Sequence, residues 1–335
     1  MLSQPVWQEI SGIQDPELKE LAESLPIVVL QSRAPSTVKK YSGAFLRWKR
    51  WALSKTADIS VLPANPLHVA LYLTFLIQKS STSAPVEEAV NALSWAHQVA
   101  LTQDPTRCAI VRETMAGAKR MLAHRTQKKE PITPEILKDL VDKFASAEAS
   151  LSNIRVVTIC LIGFAGFLRF SEIANLKEAD VHLFPDHLEL FIESSKTDQY
   201  RDGAWITIAR SRQNTCPVGM LERYIELANI GSSPELPLIR GIVHTKSGEQ
   251  LRKKGGISYT RVREIVLEKL GELGLDRKLF GLHSLRAGGA SAAAGAGVPD
   301  RLFKRHGRWR SENAKDGYVK DSLASRLSVS QRIGL

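Results

Sequence analysis

The sequence predicts a mainly α protein of two domains, with a small antiparallel β-sheet confined to the second. Three observations carry this expectation. Apolar residues recur at three- and four-residue steps from Pro35 onward, and no strand pattern occurs before residue 125. A polar, charged run closed by proline, His124 to Pro131, then breaks the pattern as an interdomain linker would. Beyond Asp180 the apolar period shortens to two in a few short stretches. The expected division is an extension over 1–32, a helical domain over 33–124, a linker over 125–131 and an α+β domain over 132–335.

Residues 1–30 set Glu9, Asp15, Glu17, Glu20 and Glu23 against Lys19, which reads as a helical arm or a loosely held extension. Ser36 can cap a helix through Val38, Tyr41, Phe45 and Trp48, decorated by Lys39, Lys40, Arg47, Lys49 and Arg50. Asn65-Pro66 opens a second helix, Leu67 to Gln78, as a cap followed by proline at the first helical position. Pro85 opens a third through Val86, Val90, Leu93 and Val99. A fourth spans about Arg107 to Ala123 and carries Arg112, Lys119 and Arg120. Together these make a bundle of four or five helices.

In the second domain, Thr133-Pro134-Glu135 supplies a cap, a proline and an acidic first turn. The stretch Asn153 to Gly166 is apolar nearly all round, which calls for burial. His187 to Ile192 and Trp205 to Ile208 read as strands, joined by a loop containing Ser-x-Thr and Asp-Gly. Cys216-Pro217 leads a helix through Tyr224 and Leu227. Leu236 to Ile242 reads as a short strand before a basic loop (Lys246, Arg252, Lys253, Lys254). Tyr259 to Leu270 is a further amphipathic helix, and Ser322 to Ile333 can form a small one with Leu323 and Leu327 inward.

Composition bounds the function classes. With 335 residues, 43% hydrophobic and 24% charged, the chain can build two real cores. The net charge of +11 favours a polyanionic partner, but does not choose between DNA, RNA, an anionic membrane and a merely solvated basic surface. No run of about 18 apolar residues occurs, so no spanning helix is expected. Met1 to Ser24 lacks the basic start of a signal peptide. Cys108, Cys160 and Cys216 are widely spaced and odd in number, which fits neither a disulfide framework nor a metal site. They read as small buried residues in a reducing compartment. His182 and His187 lie close together without the carboxylate or thiol spacing of a metal site.

The most informative stretch runs from Gly281 to Lys320. Gly-Leu-His-Ser-Leu-Arg places His283 and Arg286 on one helical face, and the small residues from Ala287 to Ala296 let other backbone approach closely. His-Gly-Arg-Trp-Arg follows, with Trp309 nine residues ahead of Tyr318. This resembles the C-terminal signature of the tyrosine recombinases, the phage-integrase family of Cre- and XerD-like site-specific recombinases, with Trp where XerD-like members carry His. Upstream, Phe167-Leu168-Arg169 with Glu172 and Leu176 resembles the family's first box, and Lys196 sits where the family places a lysine on a mobile strand-to-strand turn. Taken singly, Arg169 and Glu172 read as a structural ion pair and Lys196 as a loop lysine. Their order along the chain gives them weight.

The resemblance implies a helical core-binding domain and a catalytic domain that clamp a duplex. It implies a transferase that breaks and rejoins DNA strands. A phosphodiester repels nucleophiles until its charge is matched, and arginine forks suit that task. Arg169 and Arg286 would clamp the phosphate, with His283 and Trp309 as further donors. Tyr318 would attack, since a free phenol titrates near about 10 and must lose its proton as it does so. His283 would accept that proton, Lys196 would protonate the leaving 5′-oxygen, and Glu172 would orient its neighbours. His306 is the runner-up for the place of Trp309. Lys39, Lys40, Arg47, Lys119, Arg120 and Arg308 would contact DNA. No cofactor or metal is expected. The implied partner is double-stranded DNA, bound by a homotetramer on paired sites, inside a cell rather than at a membrane, and the resemblance extends to recombinases of mobile elements. Two alternatives stay open: a catalytically silent DNA-binding protein derived from a recombinase, and a type IB topoisomerase.

Overall fold

The computed structural model describes residue 7 and residues 9–124, 127–195, 198, 202–231 and 233–333. They form two compact units, Met1–Gln127 and Lys128–Leu335.

The first unit is helical throughout: α1 (Pro16–Leu30), α2 (Pro35–Leu53), α3 (Pro66–Lys79), α4 (Ala84–Val99) and α5 (Ala109–Met121). The acidic extension is thus largely helix α1, whose N-cap Asp15 accepts from Leu18 N at 2.9 Å. Trp7 is buried ahead of it and donates its indole N–H to Val99 O at 3.0 Å. The expected fourth helix is shorter than its pattern, because Pro105–Arg107 forms a separate 3₁₀ turn capped by Asp104. The core is aromatic, with Trp48, Tyr72 and Trp95 nearly fully buried beside Leu73 and Leu93. His97 bridges two backbones there, donating from Nδ1 to Leu93 O at 2.7 Å and accepting from Ala64 N at 2.9 Å. Burial pushes its pKa down, consistent with a neutral imidazole.

The second unit is built around α7 (Leu151–Ala165), which is buried on nearly every side as its composition requires. Packed on it are α6 (Pro134–Phe144), α9 (Pro217–Leu227), α10 (Tyr259–Glu272) and α11 (His283–Gly295), with the short α8 (Phe170–Asn175) following it in the chain. Strands β1 (Val181–Leu183), β2 (His187–Ile192) and β3 (Ala204–Ala209) form an antiparallel sheet in that order. Ile192 pairs with Ala204 at the end of this ladder. Leu188, Leu190 and Ile192 face the core, and Glu189 and Phe191 do not.

Several expectations need correction. The basic loop after residue 242 is a second antiparallel ladder, β4 (Arg240–Thr245) with β5 (Gly248–Gly256). β5 is mostly exposed, so backbone pairing and the turn at Gly248 hold it, and no buried stripe marks it in the sequence. Cys108 is exposed, whereas Cys160 and Cys216 are buried. The chain ends in α12 (Asp300–Gly307), α13 (Glu312–Asp316) and α14 (Leu323–Gln331). In α14, Leu323 and Leu327 point outward, 68% and 47% exposed, because none of the described residues covers them. Residues 128–131 are held within the second unit: Glu130 N donates to Leu279 O at 2.8 Å, and the adjoining Ile132 N to Ser284 O at 3.0 Å. Among the described residues, no helix is long and apolar enough to cross a membrane.

Candidate active site

The end of α7 sets the first part of the site. Gly166 stops the helix, Phe167 turns the backbone left-handed at φ 47°, and buried Leu168 delivers Arg169 to the N-cap of α8. Arg169 and Glu172 then close a reciprocal cap. Arg169 N donates to Glu172 Oε2 at 2.8 Å and Arg169 Nη1 to Oε1 at 2.7 Å. The Glu172 carboxylate is fully buried, and Arg308 Nη2 reaches its Oε2 at 2.7 Å while Arg286 Nη1 lies 3.9 Å from the same oxygen. Burial alone would raise this carboxyl, but the nearby charges of Arg308, Arg169 and Arg286 and the Arg169 backbone bond outweigh it and hold the pKa below the usual range.

Helix α11 brings the second part. His283 is its exposed first residue and Arg286 lies one turn on, fully buried. The small residues explain how the helix can come so close. A Cβ on Gly288 would sit 2.0 Å from Ile132 O, and one on Gly289 would sit 2.1 Å from Phe164 O. Arg286 donates from Nη1 to Phe167 O and from Nη2 to Gly307 O. Burial, then the like charges of Arg169 and Arg308, push its guanidinium down to about 9, so it stays charged at neutral pH.

The third part is the turn after α12. Gly307 lies flat beneath Trp309, where a Cβ would meet the indole at 1.9 Å. Arg308 is left-handed at φ 55°, and Trp309 N returns to Lys304 O at 3.1 Å. A small apolar cluster of Phe167, Ala290, Phe303 and Trp309 supports this turn, and Tyr318 packs on its edge. The Arg286 guanidinium carbon lies 4.7 Å from the Trp309 ring centre and 5.0 Å from that of Tyr318. The His283 and Tyr318 rings are 6.4 Å apart. Arg286 Nε, Arg308 Nε and Trp309 Nε1 are buried donors without a hydrogen-bond partner among the described residues.

Arg169, Glu172, His283, Arg286, Trp309 and Tyr318 therefore converge from four separate stretches of chain. Lys196 lies outside the described residues. His306 is tied away from the cluster, its Nε2–H donating to Ala165 O at 2.7 Å and its ring edge-on to Phe167. Arg308, expected on a DNA-facing surface, is turned inward instead, with its side chain 8% exposed. Of the other basic candidates, Lys39, Lys119 and Arg120 are exposed. Lys40 and Arg47 flank Glu88 at 3.3 and 2.5 Å. Sequence reasoning missed Phe167, whose carbonyl receives both Arg286 and Arg308. Its role belongs to its backbone, so its apolar side chain gives no sign of it.

No family model matches the chain. A curated integrase/recombinase XerD homologue of Selenomonas ruminantium is 29% identical over 307 residues, covering 89% of this chain and 86% of that protein. The XerH site-specific recombinase, solved bound to a palindromic difH substrate after cleavage, superposes with a TM-score of 0.59 at 16% identity, over 89% of this chain and 78% of its own. A lambda integrase tetramer bound to a Holliday junction gives a TM-score of 0.56 at 14% identity, over 86% and 73%. These structures share the fold, and the XerD homologue carries the likeness into sequence along nearly the whole chain. In fold and in sequence, the chain is similar to the tyrosine recombinases.

Proposed function

We propose that this chain is a site-specific DNA recombinase that cuts and rejoins strands through a 3′-phosphotyrosyl intermediate on Tyr318. One observation carries the reading: a buried carboxylate, Glu172, gathers three arginines within 3.9 Å, and one of them lies beneath the Tyr318 ring. Three positive charges against one negative favour an anion. The partnerless donors of Arg286 and Trp309 at the same place favour an oxygen acceptor, since a buried donor left unsatisfied costs about 1–3 kcal/mol.

The roles then follow the resemblance to the recombinases. Arg169 and Arg286 take the non-bridging oxygens, with Trp309 as a further donor. Tyr318 Oη attacks phosphorus and gives its proton to His283. The bond from phosphorus to the 5′-oxygen breaks, and Lys196 supplies the proton that oxygen needs. The phosphodiester energy is kept in the tyrosyl linkage, so rejoining is the same step reversed. Losing one preorganised donor at such a site typically costs on the order of 10²–10³ in rate. Exposed Lys39, Lys119 and Arg120 are assigned to phosphates outside the site, and Lys40 and Arg47 join them only by sharing Glu88.

We assign the working form to a homotetramer on paired sites, acting wherever the cell keeps its DNA. Support comes from α14 and the residues after it, whose Leu323, Val329 and Ile333 are 68%, 67% and 65% exposed. An apolar tail of this kind seated on a neighbouring copy makes a heterologous contact, which closes into a ring when the rotation allows.

The test traps cleavage on nicked duplexes of partly randomised sequence and looks for an SDS-resistant adduct. Wild type forms it, and Tyr318→Phe loses it while binding DNA nearly as well. A Phe variant that still forms adducts moves the nucleophile elsewhere. Tight binding with no adduct supports the silent reading, and relaxation of any supercoiled plasmid supports the topoisomerase.

A further inference from the structure

We infer that Arg308 is a positioning residue for strand cleavage rather than a contact to DNA, an inference that rests on the recombinase reading above. The first reason is its backbone. At φ 55° and ψ 40° it holds the left-handed conformation, which is unfavourable for any residue with a Cβ and persists only where the surroundings enforce it. Phe167, across from it, is left-handed as well, and the two are joined by Arg308 Nη2 donating to Phe167 O at 3.0 Å.

The second reason is where its donors go. Nη1 donates to Gly166 O at 3.2 Å and His306 O at 2.7 Å, and Nη2 to Phe167 O and to Glu172 Oε2 at 2.7 Å. The fork is spent on this chain's own carbonyls and carboxylate, and its side chain is 8% exposed. Arg310, two residues on, is exposed. Of the two arginines flanking Trp309, only Arg310 is placed to meet a phosphate.

What Arg308 holds explains its use. It joins the segment carrying Trp309 and Tyr318 to the turn that launches Arg169. It also occupies Glu172 Oε2, the oxygen from which Arg286 Nη1 stands 3.9 Å away. Without Arg308 that oxygen keeps only the Arg169 backbone N–H, Arg286 is drawn onto the carboxylate, and the cluster falls from three positive charges against one to two against one. Arg286 then answers to Glu172 instead of to the scissile phosphate. The loss falls on the chemical step and leaves DNA affinity alone.

Two variants separate the possibilities. Arg308→Gly suits the left-handed backbone while removing the fork, and Arg308→Lys keeps a charge without the fork's geometry. Single-turnover adduct formation is measured at saturating protein, alongside DNA affinity as a function of salt. The expected result is a rate on the order of 10²-fold lower for Arg308→Gly, as for other misplaced catalytic geometry, with the Lys variant between it and wild type. Affinity and its salt slope do not change, and millimolar guanidinium ion restores part of the Gly variant's rate. A salt slope reduced by about 1 with the saturated rate intact makes Arg308 a phosphate contact and overturns the inference. So does a lost rate that tracks a lowered melting temperature and resists guanidinium. Wild type failing to form any adduct sinks the recombinase reading instead. A second readout then still decides the matter: without DNA, the Trp309 fluorescence, taken as the difference from a Trp309→Phe partner, shifts to the red in Arg308→Gly. An unshifted difference removes the tether.

Discussion

The closeness of α11 to α7 places Arg286 beside Arg169, and it can be tested by adding one methyl group. Gly289 lies inside α11, where replacing Gly by Ala in open space stabilises a helix by roughly 0.5–1 kcal/mol. Here the new Cβ would lie 2.1 Å from Phe164 O and 2.6 Å from the Phe167 ring. The carbonyl belongs to the central buried helix and cannot move aside cheaply. Overpacking of this kind typically costs about 1–3 kcal/mol, which outweighs the helical gain. Net of that gain, at about 2–4 °C per kcal/mol for a unit of 150–250 residues, Gly289→Ala melts up to roughly 10 °C below wild type. Gly295, at the end of the same helix, has nothing within 4 Å of its Cβ position, so Gly295→Ala melts at or slightly above wild type. Calorimetry of both variants reads the signs. Cleavage reads the consequence, because a shift of about 1 Å in α11 lowers the adduct rate on the order of 10²-fold in the first variant and not the second. If Gly289→Ala is as stable as Gly295→Ala, the close packing assigned to α11 is wrong.

Glu172→Gln leaves three arginines around a neutral amide. Breaking a buried ion cluster by removing one partner costs about 3–5 kcal/mol, read as a shift in the denaturant midpoint of the second unit; a change below about 1 kcal/mol would mean the arginines are solvated. For pH, His306 is pulled below its ordinary 6.5, first by burial and then by Arg308 and Arg286, against the Ala165 bond that raises it. A depressed histidine contributes stability that is present above 6.5 and lost as pH falls from there through the lower folded value. His306→Gln keeps a donor for Ala165 O, so its melting temperature falls less than wild type's on going from neutral to mildly acidic pH. Parallel curves would refute a neutral, half-buried His306.

Much of this molecule was legible before its structure, for reasons tied to particular residues. Buried helices announce themselves, as α7 did from Val156 to Phe164, because nearly every face must be apolar. Caps such as Asn65-Pro66 and Thr133-Pro134 mark helix starts through local hydrogen bonds, which are written in neighbouring residues. The β4–β5 ladder was missed because its exposed Lys253 and Lys254 carry no burial pattern. The orientation of α14 was misjudged because an apolar stripe says only that a helix wants a cover. At the site, chain order singled out Arg169, Arg286 and Tyr318, but not which arginine would be spent inside. Arg308 and Arg310 look alike in the sequence, and only the left-handed turn at Arg308 sends one inward and leaves the other outside.

That turn bears on why such a cluster is kept at all. Three arginines on one buried carboxylate are a poor way to stabilise a protein, since desolvating ions is costly and two of the positive charges go unmatched. Three buried donors in the same place, on Arg286, Arg308 and Trp309, have no partner among the described residues. The unmatched charge and the costs at Arg286 and Trp309 shrink when a phosphodiester enters, because it carries a negative charge and brings acceptor oxygens. They shrink further as charge grows on those oxygens during attack, which is the condition for an interaction to speed a reaction rather than merely bind its substrate. The donors nearest Tyr318, on Arg286 and Trp309, are the ones placed to gain most. Arg308, its two Nη groups held by its own chain, keeps that gain from being drawn off by Glu172.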